Sequence, residues 1–227
     1  LKELMAVTGA VVVTIDGPAG SGKSTVAGKV AKRLGFIHLN SGFLFRAVAL
    51  LASESELNLG DDEALTRLAE ERSFKFELDA LNLTRFTVDG RDLTDRIRSE
   101  EIGELASKIA VLPKLREVFV RLQRSIAERQ SLVVEGRDAG SVVFPGAAFK
   151  FYLDAPLAER AARRFRELQA AGSSKALAEC QREIEKRDLR DSTREVAPQV
   201  CPEGARRVAT GELSVEEVVE QVVEQVN

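Results

Sequence analysis

A parallel α/β sheet is the fold class this chain predicts, and three observations predict it. Short apolar, β-branched runs alternate with stretches of helical period. A glycine-rich turn lies between the first such run and the first helix. A polar segment, residues 53–111, interrupts the alternation with period-two patterns of its own. With 227 residues, the chain suffices for one large domain or for a core carrying an insertion.

Each element follows from its own pattern. Ala10–Ile15 is a short β-branched apolar run, read as a buried strand. Asp16–Ser21 is the glycine-rich turn. From Lys23 the residues Val26, Ala27, Val30 and Leu34 fall on one helical face, and Gly35 stands where a C-cap glycine belongs. Phe36–Leu39 reads as a second strand and Phe43–Leu51 as a second helix. In the interrupting segment Phe74, Phe76 and Leu78 alternate, as do Phe86 and Val88, and Asp89-Gly90 signals a turn, so a small antiparallel sheet is expected. A helix follows through Ile102–Val111, and Pro113 precedes another, Lys114–Ala127. Leu132–Glu135 and Phe149–Leu153 are the third and fourth core strands. Arginine-rich helices are expected over Leu157–Ala171 and Lys175–Leu189. Ser214 with Glu217 three residues on is a capping box, and Val215, Val218, Val219, Val222 and Val226 form the buried face of the last helix.

Composition narrows the function classes. A net charge of −3 gives no general affinity for nucleic acid, so any basic site must be local. Cys180 and Cys201 are too few for a disulfide framework or a cysteine zinc site, and fit a reducing, cytoplasmic compartment. His38, the single histidine, excludes a His-pair metal site and reads as structural, beside an apolar strand. No run reaches the ~20 apolar residues of a membrane span, and no secretory leader pattern is present. Met5 is the only methionine; Leu1–Leu4 ahead of it take no part in the argument. Nothing demands more than a monomer.

Gly17-Pro18-Ala19-Gly20-Ser21-Gly22-Lys23-Ser24 fits G-x-x-x-x-G-K-[ST] at every position, with a strand before it and a helix after it. The spacing has a mechanical reason. Glycines let consecutive backbone N–H groups turn inward around phosphate oxygens, and the helix N-terminus adds positive potential. Lys23 is placed to reach the β- and γ-phosphates and the Ser24 hydroxyl to ligate Mg²⁺, and Thr25 is counted with the same nucleotide-binding stretch. The pattern predicts a bound nucleoside triphosphate. It does not by itself separate a kinase from a switch NTPase, which shares the loop.

A phosphorylated acceptor brings further negative charge beside the triphosphate, and arginines must offset the repulsion. Arg46 follows Ser41-Gly42 after the second strand, and Arg137 lies in Glu135-Gly136-Arg137-Asp138 just past the third, where ligands of parallel sheets bind. Lys186-Arg187-Asp188-Leu189-Arg190-Asp191-Ser192-Thr193-Arg194 sets Arg187, Arg190 and Arg194 on one face if the helix continues. The plain alternative is a solvated face with Arg187–Asp191 pairing.

These residues resemble the bacterial cytidylate kinases of the nucleoside monophosphate kinase group. The resemblance runs over nearly the whole chain and rests on Ile15–Thr25, Leu39–Arg46, Ser107–Arg116, Glu135–Pro145 and Arg187–Pro198. It implies a P-loop NTPase fold: a three-layer α/β/α core with a parallel sheet, an inserted small α+β monophosphate-binding domain and a helical lid. The core would be residues 1–52 and 112–227, including a lid at about 157–198, and the insert residues 53–111. The implied reaction is ATP-dependent, Mg²⁺-assisted phosphorylation of CMP and dCMP. Carried over residue by residue, Ser41 and Arg46 look like binders of the acceptor's phosphate region. Ser107, Arg116 and Asp138 look like the cytosine-reading set, and Arg137 and Arg194 like phosphate ligands. Arg187 and Asp191 look like contacts to the sugar and the transferring phosphate. Lys23, Arg137, Arg187, Arg190 and Arg194 form the expected catalytic set.

The chemistry of the base agrees with that carry-over. A carboxylate at Asp138 can accept from cytosine's amino group, and Arg116 can donate to its two acceptors. Uracil would turn an oxygen toward the same carboxylate, and mispaired buried polar groups discriminate strongly. Asp138 as a helix cap or a partner of Arg137 is the structural alternative. Asn40 and Phe45 stand where the family commonly has Asp and Tyr, and Arg206 and Arg207 within Ala205–Thr210 count against an apolar final strand. Two rival functions remain. One is a P-loop kinase of UMP, shikimate or a nucleoside. The other is a nucleotide switch, against which stands the lack of an Asn-Lys-x-Asp guanine motif.

Overall fold

The computed structural model describes residues 9–81 and 83–227; Met5 and Leu1–Leu4 lie outside the described residues. Five strands make one parallel sheet: β1 (Val12–Asp16), β2 (Ile37–Asn40), β6 (Leu132–Gly136), β7 (Phe149–Asp154) and β8 (Arg206–Ala209), in the spatial order β2-β6-β1-β7-β8. Strands buried on both faces need apolar residues throughout. In β6, Leu132 and Val134 enter the core on one face while Val133 enters the core on the other. A second sheet of three antiparallel strands, β3 (Phe74–Leu78), β4 (Thr84–Val88) and β5 (Arg91–Asp92), forms where the alternation of Phe74, Phe76 and Phe86 predicts it.

Helices cover both faces of the large sheet. α1 (Lys23–Leu34) and α8 (Val215–Val226) pack on one side, through Val26, Ala27 and Val30 against Val218, Val219 and Val222. On the other side lie α2 (Ser41–Glu54), α3 (Asp62–Glu70), α4 (Glu100–Ile109) and α5 (Pro113–Ala127). The small sheet joins that second core by its aromatic rings: Phe74 meets Phe119 of α5 edge-on at 5.7 Å, and Phe119 meets Phe45 of α2 at 4.9 Å. A hairpin of α6 (Leu157–Ala170) and α7 (Leu177–Thr193) lies between β7 and β8 in the chain. Gly35 adopts the left-handed conformation and caps α1, and Ser214 with Glu217 caps α8.

Several expectations are corrected. β8 does form, although it carries Arg206 and Arg207. It is an edge strand, so both arginines point outward while Val208 is buried, and Arg207 lies 5.6 Å over the Tyr152 ring. α2 begins at Ser41 rather than Phe43. α4 starts before Ile102 and stops short of Val111. α7 starts later than Lys175 and runs past Leu189 to Thr193. α3 was not anticipated, because its charged residues hide a short apolar stripe of Leu65, Leu68 and Ala69 behind the Asp61 cap. Val215 and Leu78, expected on buried faces, are more than a third exposed, being the first residue of α8 and the last of β3.

Candidate active site

The phosphate loop leaves β1 at Gly17, where φ is +149° and a Cβ would stand 2.1 Å from the Leu153 carbonyl oxygen; only glycine fits. It enters α1 through Gly22, also left-handed. Lys23 folds back over the loop, its Nζ donating to the Pro18 carbonyl at 2.5 Å and to Ser21 Oγ at 3.3 Å. Burial pulls its pKa well below the ordinary lysine value, and the guanidinium groups of Arg137 and Arg187 pull the same way, against Glu135 and Asp16. The sheet register sets one of those arginines nearby: Asp16, just before the loop, pairs with Gly136, just before Arg137. Gly20, Ser21, Ser24 and Thr25 continue the loop as predicted, with Ser24 and Thr25 exposed on the first turn of α1, whereas the predicted Ala19 has its amide taken by Asp188 Oδ1 at 3.0 Å.

Ser24 Oγ donates to Glu135 Oε2 at 2.8 Å, and the other oxygen of that carboxylate takes the Asn40 amide at 2.7 Å and meets His38 Nε2 at 2.8 Å. Burial raises the Glu135 pKa, but His38, Ser24 and Lys23 outweigh it and hold the carboxylate below its usual range. Asn40 and His38 are thus the outer layer of the Ser24 site. Two hard oxygen donors, Ser24 and Glu135, suit Mg²⁺, which keeps waters and phosphate oxygens as its remaining ligands. No group of three or more His, Cys, Asp or Glu gathers for a metal among the described residues.

Opposite the loop, guanidinium groups are threaded by two carboxylates. Asp138 is 6 % exposed; its Oδ2 pairs with Arg116, and its Oδ1 lies 3.4 Å from Arg194 Nη2. Asp191 Oδ2 accepts from Arg137 Nε at 2.9 Å and lies 3.9 Å from Arg187 Nε. Burial lowers the pKa values of Arg187, to about 10, and of Arg194; the next contributions come from Arg137 and Arg116 respectively. These are arginines held together against their own repulsion. Arg116 also lies 5.5 Å over the Phe45 ring, so Phe45 serves as its apolar floor. Asp16, at the end of β1, accepts the Ala139 and Gly140 amides at 2.8 and 2.7 Å and pins the turn that carries Arg137 and Asp138.

Three predicted residues have buried polar atoms with no hydrogen-bond partner among the described residues: Ser107 Oγ, Arg187 Nε and Arg190 Nη1. Buried groups of this kind take water or a polar ligand. Ser41 Oγ donates to the Glu135 carbonyl at 2.8 Å. Arg46 donates to the Ile97 and Ser99 carbonyls at 2.6 and 3.1 Å and lies against Gly103, where a Cβ would stand 2.7 Å from its Nη2. The expectation that Arg187, Arg190 and Arg194 share a helical face is corrected. The helix ends at Thr193, and Arg194 reaches Asp138 from extended backbone; Arg190 sends Nη2 to Glu104 of α4 at 2.8 Å. Sequence reading missed Asp16, Glu135, Gly103, Asp188 and Arg160. A lone acid ending an apolar strand and a glycine inside a helical pattern are the available signals for the first and third.

The comparisons place the chain in one family. The family model described as cytidylate kinase matches residues 13–227. A cytidylate kinase of Azotobacter vinelandii is 44 % identical over 209 residues, which cover 92 % of this chain and 91 % of the relative. Another, from Caldanaerobacter subterraneus, is 42 % identical over 206 residues, 91 % of this chain and 90 % of the relative. In fold, the chain is similar to an uncharacterized protein from Eubacterium ventriosum, with a TM-score of 0.51 at 12 % identity over 95 % of this chain and 98 % of the other. With the match running from the first strand to the last residue, the chain belongs to the cytidylate kinase family.

Proposed function

We propose that this protein transfers the γ-phosphate of ATP to CMP, and to dCMP, by direct in-line displacement. The observation that carries the reading is the register of β1 against β6: Asp16 pairs with Gly136, so the triphosphate loop and the Arg137–Asp138 turn leave neighbouring strands side by side, with Asp16 accepting the Ala139 and Gly140 amides. The attacking atom is an acceptor phosphate oxygen, already ionised, so no general base is needed. The protein's work is positioning and charge stabilisation. Lys23, Arg187, Arg190 and Arg194 would hold the transferring group and its neighbours, Ser41, Arg46 and Arg137 the acceptor phosphate, and Asp191 the sugar. Ser107, Arg116 and Asp138 would read the base.

Mg²⁺, held by Ser24 with Glu135 behind it, would supply charge neutralisation across the phosphates. In this reading residues 53–111 are the acceptor-binding insert and residues 157–198 a lid that closes to exclude water. The lid's links to α4, Arg164 and Lys175 to Glu100 and Arg190 to Glu104, support such a closure. Among the described residues no helix is long and apolar enough to cross a membrane. The unpaired Cys180 and Cys201 support a reducing cytoplasm, where the protein would act as a monomer on small molecules. ADP release at fixed ATP, measured against CMP, dCMP, UMP and AMP, tests the reading. CMP and dCMP should be turned over at least tenfold faster than the others. A UMP preference would favour the rival kinase, and slow hydrolysis indifferent to every acceptor a nucleotide switch.

A further inference from the structure

One more charged side chain reaches the phosphate loop, and the reaction described above does not use it. Asp188 follows Arg187 on α7. Its Oδ1 accepts the Ala19 amide at 3.0 Å and its Oδ2 pairs with Arg160 of α6. Arg160 is buried and holds the loop directly: its Nη1 donates to the Ala19 carbonyl and its Nε to the Ala155 carbonyl, both at 2.9 Å. The crown of the loop is therefore gripped on both faces of one residue, amide and carbonyl, by a salt-bridged pair from two helices. The fit leaves no slack. A Cβ at Gly20 would stand 3.2 Å from Arg160 Cβ and 3.3 Å from its carbonyl oxygen. Ala19, Ala161, Ile184 and Leu157 pack as a small apolar cluster between the same elements.

A carboxylate beside a phosphate loop is electrostatically contrary, since it repels the ligand the loop is built for. Arg160 neutralises it. What remains is geometry: the acceptor on Ala19 fixes the position of α7 relative to the loop, one residue from Arg187. Arg187 itself has no such anchor. Its Nε is buried without a hydrogen-bond partner among the described residues, and it lies 3.9 Å from Asp191.

We infer that Asp188 and Arg160 form a latch that positions Arg187 over the transferring phosphate by tying helix α7 to the Ala19 peptide. The inference rests on the kinase reading above. Asp188 is a positioning residue: it touches no substrate and acts through Arg187. A displacement of the order of 1 Å at a phosphate-holding group can cost ~100-fold in rate. Asp188→Ala is therefore expected to lower kcat by about ten- to a hundredfold, with KM for ATP and CMP held within about threefold, because the loop and the acceptor pocket stay intact. ATP hydrolysis without acceptor, taken relative to transfer, should rise as the closed state loosens.

The experiment is steady-state kinetics on the full chain for Asp188→Ala, Asp188→Asn, Arg160→Lys and Arg187→Ala, with the melting temperature of each recorded. Asp188→Asn keeps an oxygen for the Ala19 amide and should recover most of kcat; it also keeps the test decisive if the alanine variant folds poorly. The double variant Asp188→Asn with Arg160→Lys should be no slower than the worse single variant. If Asp188→Ala keeps kcat within twofold while Arg187→Ala loses it, the latch is wrong and the kinase reading stands. If both keep kcat, the role of Arg187 fails first. A lowered melting temperature with unchanged kcat would make the contact structural only and overturn the latch.

Discussion

If Asp138 reads cytosine as proposed, replacing it by Asn should turn the preference toward uracil. The side chain keeps its shape and one oxygen. It loses its charge and gains an amino group where the second oxygen was. In the native site the carboxylate already serves Arg116 and Arg194. A carboxylate offers about four lone-pair positions, so it can still accept from the cytosine amino group. A hydrogen bond to a charged group contributes ~1.5 kcal/mol or more. The variant forfeits that for CMP, and for UMP it replaces a repulsion of similar size with a donor facing the uracil oxygen. Together the two changes come to ~3 kcal/mol, so the ratio of kcat/KM for CMP over UMP should fall about a hundredfold. The same substitution leaves two buried guanidinium groups facing a neutral partner. Breaking a buried ion pair costs ~3 kcal/mol or more, so some folding stability is lost, and the assay belongs well below the variant's melting temperature. The measurement is ADP release with each acceptor varied at saturating ATP. A CMP over UMP ratio within threefold of the native protein would refute the base-reading role of Asp138.

Other consequences are as specific. Arg187→Ala should reduce kcat by a hundredfold or more (2.7 kcal/mol is about a hundredfold) while ATP binding by calorimetry changes little; unchanged kcat in a coupled assay would remove Arg187 from the reaction. Gly103→Ala would push a Cβ into the Arg46 guanidinium, so KM for CMP should rise at least tenfold with KM for ATP unaffected, and equal effects on both would contradict the placement of Arg46. Burial pushes the Asp16 carboxyl up from 3.8 to about 6. Between those values the folded chain keeps a proton that the unfolded chain has lost, so its contribution to stability falls as pH rises through the window, by ~1.4 kcal/mol per unit at most. Urea midpoints of the native protein and Asp16→Asn should therefore shift against the native protein between pH 4 and 6.5, and a constant difference would show the carboxyl to be ionised throughout.

The phosphate loop was legible because its geometry is local: eight consecutive residues fix the backbone that holds the anion, and strand and helix flank them in sequence. The arginines were legible as a set but not as a wiring plan. That Arg116 and Arg194 share Asp138, or that Arg137 pairs with Asp191, depends on side chains brought together from helices and loops far apart in the chain. Arg190 looked like its neighbours in the run, yet one of its nitrogens goes to Glu104, a partner no local pattern could name. Asp188 read as one more charge on a polar helix until the fold set it against Ala19. The arginines of β8 misled for a different reason. Consecutive strand residues point to opposite faces, yet at this sheet edge Arg206 reaches Gln221 and Gln225 and Arg207 lies over Tyr152, both exposed, so only Val208 had to be apolar.

The proposed reading, with a triphosphate site and an acceptor-phosphate site facing each other, predicts that a single molecule can fill both. Cytidine and adenosine joined through a chain of five phosphates should bind by calorimetry at least a hundredfold more tightly than ATP, since the second engagement is intramolecular. Its affinity should fall by more than tenfold in both Lys23→Ala and Arg137→Ala. A linked compound that binds no better than ATP, or one that ignores Arg137, would contradict the account.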